Sequence, residues 1–431
     1  MKPSPFLSVK NWARLARGRV PGQVVVQYTT RCNAACVQCG MRVTNQEPRV
    51  TMRPDDVRRL IDAMAERGVA SISFTGGEPL LFLEEVVDLM RYAGQAGIRY
   101  IRTGTNGFVF RHSGRHDFYD KMARLADTLA DTPVNTFWIS LDSADPDLHE
   151  KNRGLPGVVE GIRKALPLFH ERGLYPSANL GINRLTGGSG LVPDAGAPFD
   201  QQAFIQAFSV AFRRFYAFAD HLGFTTVNAC YPMSYNEADS DRKAVYAATA
   251  TDGVIRFSSQ EKAAMLRALY DVIPEFRHRL RIFTPRSALL ALMRQHAGLD
   301  AGLFPCRGGI DFFFVDAANM NTYPCGYRGD VSLGKFWALD MASLDHNSVC
   351  EHCDWECFRD PSIILKPLLD MFCNPLTMWK KLPRHKGFLK VWAEDLRYYA
   401  GCGWFDARSA PEYGRLAKLS LRECCSGIEA I

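Results

Sequence analysis

Three cysteines stand close together near the start of the chain, in the stretch "RCNAACVQCGMR" at residues 31–42. Cys32, Cys36 and Cys39 are four and then three positions apart, a spacing that would place three buried thiols on one face of a helix. Their Arg, Asn, Gln and Gly neighbours indicate a polar loop instead. A zinc site normally has a fourth ligand nearby, and the next cysteine is Cys230. Three thiolates suit a four-iron cluster with one iron left open for a reactive molecule.

Repeated βα units have to position this loop. Short β-rich runs alternate with amphipathic helical stretches, a pattern typical of a parallel sheet. The predicted strands cover residues 24–28, 70–74, 100–105, 136–141, 177–183 and 225–231. The predicted helices cover residues 54–67, 83–96, 119–131, 157–172 and 201–222. Six units are fewer than the eight of a closed barrel, so the sequence predicts an α/β chain with a partial (β/α)6 TIM-like barrel or an open sheet. The cysteines follow the first strand, and loops at that edge form the active face.

The cysteine motif is similar to the CxxxCxxC motif of the radical S-adenosylmethionine (SAM) superfamily, which carries it after the first strand, as this chain does. The resemblance implies that Cys32, Cys36 and Cys39 bind a [4Fe–4S] cluster whose open iron chelates SAM. In that family, one electron from the cluster cleaves SAM and releases a 5′-deoxyadenosyl radical, which abstracts hydrogen from the substrate. A reducing partner of the flavodoxin or ferredoxin type is therefore expected. The resemblance assigns no catalytic side chain beyond these cofactor sites.

Three further motifs at predicted strand ends resemble those of the same family, namely "GGEP", "TNG" and "SLD" followed by "RG". They imply SAM contacts from Gly76, Gly77, Glu78, Pro79, Thr105, Asn106, Ser140 and Asp142. Arg153 either meets the SAM carboxylate or only caps a helix. One position departs from the family pattern. The residue before the third cysteine is usually an aromatic that packs on adenine, and here it is Gln38.

A second cysteine-rich segment resembles the auxiliary-cluster extension known as a SPASM or Twitch domain. Its "DFFFVDAANMNTYPC" stretch predicts a β-hairpin with a thiol at each end. The four-ligand Twitch pattern is matched by Cys306, Cys325, Cys350 and Cys353, with Cys357 as a further candidate metal ligand. An alternative ligand set for one cluster is Cys350, Cys353, Cys357 and Cys373. A zinc site remains an alternative, since CxxC with two distant cysteines is also a zinc signature. Cys230, Cys402, Cys424 and Cys425 have no motif around them and are predicted to be plain thiols.

These segments divide the chain into five predicted regions. They are an N-terminal extension at 1–23, the barrel at 24–231, a helical linker at 232–300, the auxiliary-cluster domain at 301–375 and a basic, aromatic helical tail at 376–431. The Gly- and Pro-rich residues 184–200 are expected to form a mobile loop that could cover a site.

Composition limits the partners and the compartment. The net charge of +6 is spread over 431 residues without a dense Lys/Arg block, so no nucleic acid is expected. No window reaches the roughly 18 apolar residues of a membrane span. The start of the chain lacks a signal-peptide pattern, which favours a reducing cytoplasm in which clustered thiols serve metal or redox chemistry. The tail mixes Lys/Arg with aromatics, which predicts either peripheral membrane contact or docking on its own domain.

The combined interpretation is an oxidoreductase of the radical SAM type with ligands for one auxiliary iron–sulfur cluster. It would abstract hydrogen from a peptide or a small molecule, and the auxiliary cluster would accept an electron or bind the substrate. Either role favours an oxidised or crosslinked product. The alternatives are a radical SAM enzyme acting on a membrane lipid and a non-catalytic iron–sulfur or zinc protein.

Overall fold

The structure is a computed structural model. It describes residues 14–39, 49–232, 253–299, 305–344, 350, 353, 355–376, 385–403 and 407–423. Much of the predicted N-terminal extension, part of the linker, part of the tail, and Cys424 and Cys425 lie outside the described residues.

The strands in chain order confirm all six predicted barrel strands and add three more. They are β1 (Gln23–Thr29), β2 (Ser71–Gly76), β3 (Tyr100–Thr105), β4 (Val134–Leu141), β5 (Ser177–Gly181), β6 (Thr226–Cys230), β7 (Arg281–Ile282), β8 (Phe312–Val315) and β9 (Thr322–Tyr323).

The helices include each of the five predicted in the barrel. They are α1 (Pro54–Glu66), α2 (Leu83–Gln95), α3 (Phe118–Ala130), α4 (Pro146–Arg153), α5 (Val158–Glu171), α6 (Gln201–Leu222), α7 (Ser259–Phe276), α8 (Arg286–His296), α9 (Glu356–Cys373), α10 (Lys386–Cys402) and α11 (Tyr413–Glu423). The barrel helices are amphipathic, and α1 for example buries Val57, Leu60, Ile61 and Met64 against the sheet.

All described strands form one sheet in the order β7-β6-β5-β4-β3-β2-β1-β8-β9. Neighbours pair in parallel except for β8 and β9, which form the predicted antiparallel hairpin. The cysteine-rich hairpin therefore continues the barrel sheet, since β8 pairs with β1 in the register Val25↔Phe314. The physical reason is that β8 reads "FFFV" with every side chain buried, so it needs cover on both faces. The expected partial-barrel fold is confirmed, with a cysteine-rich region and helices after it.

The loop after β5, which is predicted to be mobile, is anchored to the body of the protein at its first residue. The Arg184 side chain is 3% exposed and forms an ion pair with Glu261 on α7 at 2.7 Å. It also donates hydrogen bonds to the carbonyl oxygens of Pro193 and Arg256, both at 2.7 Å. The loop is therefore fastened to α7 by a buried cation.

The described part of the tail packs on the body of the protein. Asp395 on α10 pairs with Arg277 at 2.9 Å, with neither side chain exposed, and accepts hydrogen bonds from Ser287. The Tyr398 hydroxyl donates to the carbonyl oxygen of Leu280 at 3.0 Å. Docking on its own domain thus accounts for the aromatics of α10. Among the described residues, no helix has the length and apolar character needed to cross a membrane.

Candidate functional site

The inner face of the barrel encloses a cavity of about 300 Å³ that reaches the carboxyl ends of its strands. The structure brings the three N-terminal cysteines and every residue that the resemblance assigned to SAM to the wall of this cavity. They are Cys32, Cys36, Cys39, Gly76, Gly77, Glu78, Pro79, Thr105, Asn106, Ser140, Asp142 and Arg153. Residues from four strand ends therefore share one space, as parallel pairing requires.

The three-cysteine loop is held against the end of α4. The Ala35 N–H donates to the carbonyl oxygen of Arg153 at 2.7 Å, and the Val37 N–H donates to that of Asn152 at 3.1 Å. Burial raises the pKa of the Cys36 thiol to about 12, and the nearby Arg153 charge acts against that rise. A metal cluster binds thiolates, so loading this loop must release protons.

The sulfur of Cys32 receives polar hydrogens from two directions. The Ala34 N–H and the side-chain amide of Asn106 both lie 3.5 Å from its Sγ. Burial raises the pKa of the Cys32 thiol, and these two donors oppose the rise because they favour the thiolate. Asn106, from the "TNG" motif, thus contacts the first cysteine of the loop.

The paired glycines allow β2 to pass directly beside the chain leaving β1. A Cβ atom on Gly76 would overlap the carbonyl oxygen of Thr29, and one on Gly77 would overlap that of Arg31. The Gly77 N–H donates to the Thr29 oxygen at 2.7 Å. The resemblance assigned these glycines to the cofactor, whereas the contact that the structure shows is with the backbone that carries Cys32.

Glu78 ties the end of β2 to the end of β3. Its carboxylate, which is not exposed, accepts hydrogen bonds from the backbone N–H of Leu80 at 3.0 Å and of Asn106 at 2.6 Å. Burial raises the pKa of Glu78 to about 7, and the two N–H donors limit that rise. Its role in the structure is to position the segment that contacts Cys32.

Asp142 and Arg153 pair with each other. Arg153 donates to both carboxylate oxygens of Asp142, at 2.7 and 2.8 Å. Gln38 donates its side-chain amide to the same carboxylate at 2.7 Å. The guanidinium holds the pKa of Asp142 below its usual range, against the effect of burial. Gln38, at the family's aromatic position, therefore anchors the cysteine loop to β4.

The sequence motifs did not identify the residues that line the inner walls of the barrel. Alternate positions of the strands contribute Ser73, Thr75, Arg102, Thr136, Trp138, Ser177, Asn179, Asn228 and Cys230. A signal was present, since polar residues recur with period two in strands whose other positions are apolar. Cys230, predicted to be a plain thiol, lines this cavity and donates to the side-chain oxygen of Asn179 at 3.4 Å.

A second, smaller pocket is lined by four cysteines of the C-terminal segment, which are Cys306, Cys325, Cys350 and Cys353. Backbone N–H groups of Gly308 and Tyr327 each lie 3.4 Å from the sulfur of the cysteine two residues before. Four thiols, two of which accept hydrogen bonds from backbone N–H groups, fit the donor set of an iron–sulfur cluster. Among the described residues, no group of three Cys, His, Asp or Glu side chains converges on the position of a single metal ion.

Cys357 and Cys373 do not line that pocket, and their assignment as cluster ligands stays a prediction. Cys357 lines the central cavity, with its Sγ 3.5 Å from a carboxylate oxygen of Glu356. Cys373 donates to the carbonyl oxygen of Leu15 at 2.9 Å. The reason is helical geometry, because α9 begins at Glu356 and carries the two later cysteines away from Cys350 and Cys353.

A family model described as "Radical SAM superfamily" matches residues 26–194, which include the three-cysteine loop and the motifs at the ends of β2, β3 and β4. Residues 26–194 form a radical SAM domain. The chain is accordingly a SAM-dependent enzyme, and the cavity at its strand ends is the candidate site of this radical SAM chemistry.

Sequence relatives of this radical SAM enzyme include two AdoMet-dependent heme synthases. The protein from Methanosarcina barkeri is 23% identical over 321 residues, covering 73% of this chain and 79% of that one. The protein from Oleidesulfovibrio alaskensis is 22% identical over 350 residues, covering 76% and 79%.

Among solved structures, similarity is found to Streptococcus suis SuiB bound to the precursor peptide SuiA, with a TM-score of 0.47 and 15% identity over 74% of this chain. This radical SAM chain spans 63% of that SuiB chain. Similarity is also found to anSMEcpe with bound AdoMet and the Kp18Cys peptide, with a TM-score of 0.48 and 16% identity. That match covers 75% of this chain and 81% of the other.

Proposed function

We propose that this radical SAM enzyme removes a hydrogen atom from a peptide or small molecule in the central cavity and directs the resulting carbon radical to an oxidised or crosslinked product. Cys32, Cys36 and Cys39 would hold the [4Fe–4S] cluster, which together with SAM supplies the 5′-deoxyadenosyl radical. The supporting observation is that one cavity has the three-cysteine loop in one part of its wall and the segment Trp355, Glu356 and Cys357 in another.

Trp355 supports the oxidative outcome. Its indole is 4% exposed and lines both the central cavity and the four-cysteine pocket. One aromatic side chain thus forms a shared wall between the space for substrate and the four thiols that would hold an auxiliary cluster. Oxidation of a carbon radical needs an electron acceptor, and an auxiliary cluster in this pocket would be close enough to serve.

The cysteine loop and α4 would hold the cofactor in place. Arg153 uses its Nε and one Nη for Asp142, which leaves N–H groups on the guanidinium for the carboxylate of SAM. Asp142 is neutralised by this contact, so it does not repel that carboxylate. Placement of this kind is what a protein contributes to a cofactor-driven reaction.

The cavity is compatible with more than one class of substrate. The same space of about 300 Å³ would hold SAM beside the cluster and the reacting part of the substrate, which can belong to a small molecule or to a peptide side chain. Two relatives are named AdoMet-dependent heme synthases, and SuiB was crystallised with the precursor peptide SuiA. We keep both substrate classes in the proposal, together with a one-electron donor of the flavodoxin or ferredoxin type.

The test is anaerobic. Purified protein is assayed for iron and sulfide, then reduced with dithionite in the presence of SAM, and 5′-deoxyadenosine is measured. The wild type should release it and Cys32→Ala should not, whereas Cys402→Ala, a buried thiol far along the chain on α10, is the matched control. No 5′-deoxyadenosine from iron-loaded wild type would refute the enzyme proposal, and undiminished release from Cys32→Ala would refute the site.

A further inference from the structure

The inner wall of the central cavity carries many neutral polar side chains. Hydroxyl and amide side chains face inward from β2, β4, β5 and β6, namely Ser73, Thr75, Thr136, Ser140, Ser177, Asn179 and Asn228. Among the described residues that line the cavity, the only cations are Arg102 and Arg153. Arg153 is committed to Asp142, so Arg102 is the cation whose purpose in the cavity needs an explanation.

Arg102 has no counter-ion in the part of the chain that the structure describes. No carboxylate there lies within 4.0 Å of its guanidinium, and none of its N–H groups donates a hydrogen bond to these residues. Its guanidinium lies beside the Trp138 ring, whose centroid is 5.9 Å from the Cζ atom. Its charge also acts on the Cys357 thiol, where it opposes the rise in pKa that burial causes. A cation in a partly enclosed cavity is costly unless it is paired, so an unpaired one is retained at a cost in stability.

The neighbours of Arg102 keep the space around it open. In the sheet register it stands beside Ser73 of β2 and Thr136 of β4, which are both small. Gly104, the next inward position on β3, has no side chain, and a Cβ atom there would overlap the Trp138 indole. Trp138 therefore fits over β3 and forms a flat wall beside the guanidinium.

Other charged groups at the cavity do not satisfy Arg102. Asp142 is neutralised by Arg153, and Glu78 is bound to backbone N–H groups at the carboxyl end of β2. Glu356 lines the same cavity but lies beyond ion-pair distance of Arg102. The cavity thus contains a guanidinium that is oriented by an aromatic ring and surrounded by neutral donors and acceptors.

We propose that Arg102 binds an anionic group of the substrate, a carboxylate or a phosphate, inside the barrel. This inference rests on the proposed function and narrows its substrate class to molecules that carry such an anion. The planar fork of a guanidinium binds a carboxylate or phosphate through two parallel hydrogen bonds, which fixes the orientation of the ligand. An anion held there would leave the rest of the substrate to extend along the cavity toward the cysteine loop.

The test uses cluster-loaded enzyme with SAM and a matched set of probes in place of the unidentified substrate. Benzoate and phenyl phosphate carry the two candidate anions, and benzamide has the shape of benzoate without its charge. Binding is measured by calorimetry. Wild type should bind at least one anion about tenfold more tightly than benzamide, since a charge-assisted bidentate pair contributes that much. Which anion binds more tightly identifies the chemistry.

Arg102→Gln and Arg102→Met should bind the anions no better than benzamide, and Arg102→Lys should keep part of the preference. Arg163→Gln, which removes an exposed guanidinium on α5, is the matched control and should behave as wild type. Equal binding of anions and benzamide by wild type, or an undiminished preference in both Arg102→Gln and Arg102→Met, overturns the inference.

The affinity for SAM shows whether Arg102 binds an anionic group of the substrate or the carboxylate of SAM. The Arg102 variants should bind SAM within about twofold of wild type, because Arg153 is the residue placed beside the cysteine loop. A tenfold loss would show that Arg102 pairs with the carboxylate of SAM itself, which overturns a substrate site. Binding of the probes does not require turnover. If the enzyme fails to cleave SAM, the proposed function is refuted, and the probe measurement still tests whether Arg102 binds an anion.

Discussion

Arg153 and Asp142 form a buried bidentate ion pair at the carboxyl edge of the barrel, with N–O distances of 2.7 and 2.8 Å. The backbone of the same arginine accepts a hydrogen bond from Ala35, and Gln38 donates to the same aspartate. The three-cysteine loop is therefore fastened at two points to one ion pair. The pair belongs to the support of the loop as well as to the wall of the cavity.

Asp142→Asn should destabilise the protein and loosen the cysteine loop. It leaves the Arg153 charge buried without its partner, which costs about 3 kcal/mol in comparable cases. We expect a lower free energy of unfolding in urea for the metal-free protein and less iron retained after desalting. Glu160→Gln removes the partner of an exposed arginine on α5 and should change little. Stability equal to that of wild type would show that the pair does not support the fold.

Gly77→Ala should prevent the cysteine loop from closing over β2. The added Cβ would overlap the carbonyl carbon and oxygen of Arg31, and backbone atoms cannot swing aside as a flexible side chain can. We expect loss of most of the iron bound by this loop and a lower melting temperature. Gly114→Ala, where a Cβ meets open space, is the control. Normal iron content in Gly77→Ala would contradict the close approach.

The two groups of cysteines should load separately. Cys325→Ala should lose about four iron atoms per chain, those of the auxiliary cluster, and still produce 5′-deoxyadenosine because the N-terminal loop is intact. Cys357→Ala should keep the full iron content, since its thiol lies in the central cavity. Iron and sulfide analysis with electron paramagnetic resonance of the reduced protein measures both. If Cys357→Ala loses a cluster and Cys325→Ala does not, the ligand set is wrong.

His149 should make the metal-free protein sensitive to mild acid. Its ring is not exposed and accepts a hydrogen bond from the Asp142 N–H at 3.1 Å, and burial lowers its pKa to about 4. In the unfolded chain this histidine binds a proton below about pH 6.5, whereas in the folded protein it stays neutral until about pH 4. Between these two pH values the unfolded state therefore binds one more proton than the folded state. Stability from this residue is therefore lost as the pH falls from about 6.5 toward 4.

His149→Asn should flatten that dependence, because asparagine does not titrate and can still accept the Asp142 hydrogen bond. Between pH 7 and pH 5, wild type should lose about 2 kcal/mol more unfolding free energy than the variant. His116→Asn, at an exposed position, is the control. Parallel stability curves for wild type and His149→Asn would contradict the prediction.

Local patterns in the sequence were sufficient to predict the barrel and many of the residues that line its cavity. Alternating and helical periodicity identified six strands and five helices, since each element satisfies its own backbone and buries one face. The motifs at strand ends then converge without further information, because parallel strands bring their carboxyl ends to one edge. Glu78, Asn106 and Arg153 reached the cavity wall for that reason.

Only the tertiary structure decided which distant segments meet. Nothing near Cys357 in the sequence distinguishes it from Cys353, yet the start of α9 turns one thiol toward the central cavity and leaves the other in the four-cysteine pocket. Pairing of β8 with β1 places that pocket behind Trp355. Likewise, only the assembled sheet shows that no described carboxylate pairs with Arg102. Such contacts depend on how buried surfaces from remote parts of the chain fit together, and no local pattern encodes that fit.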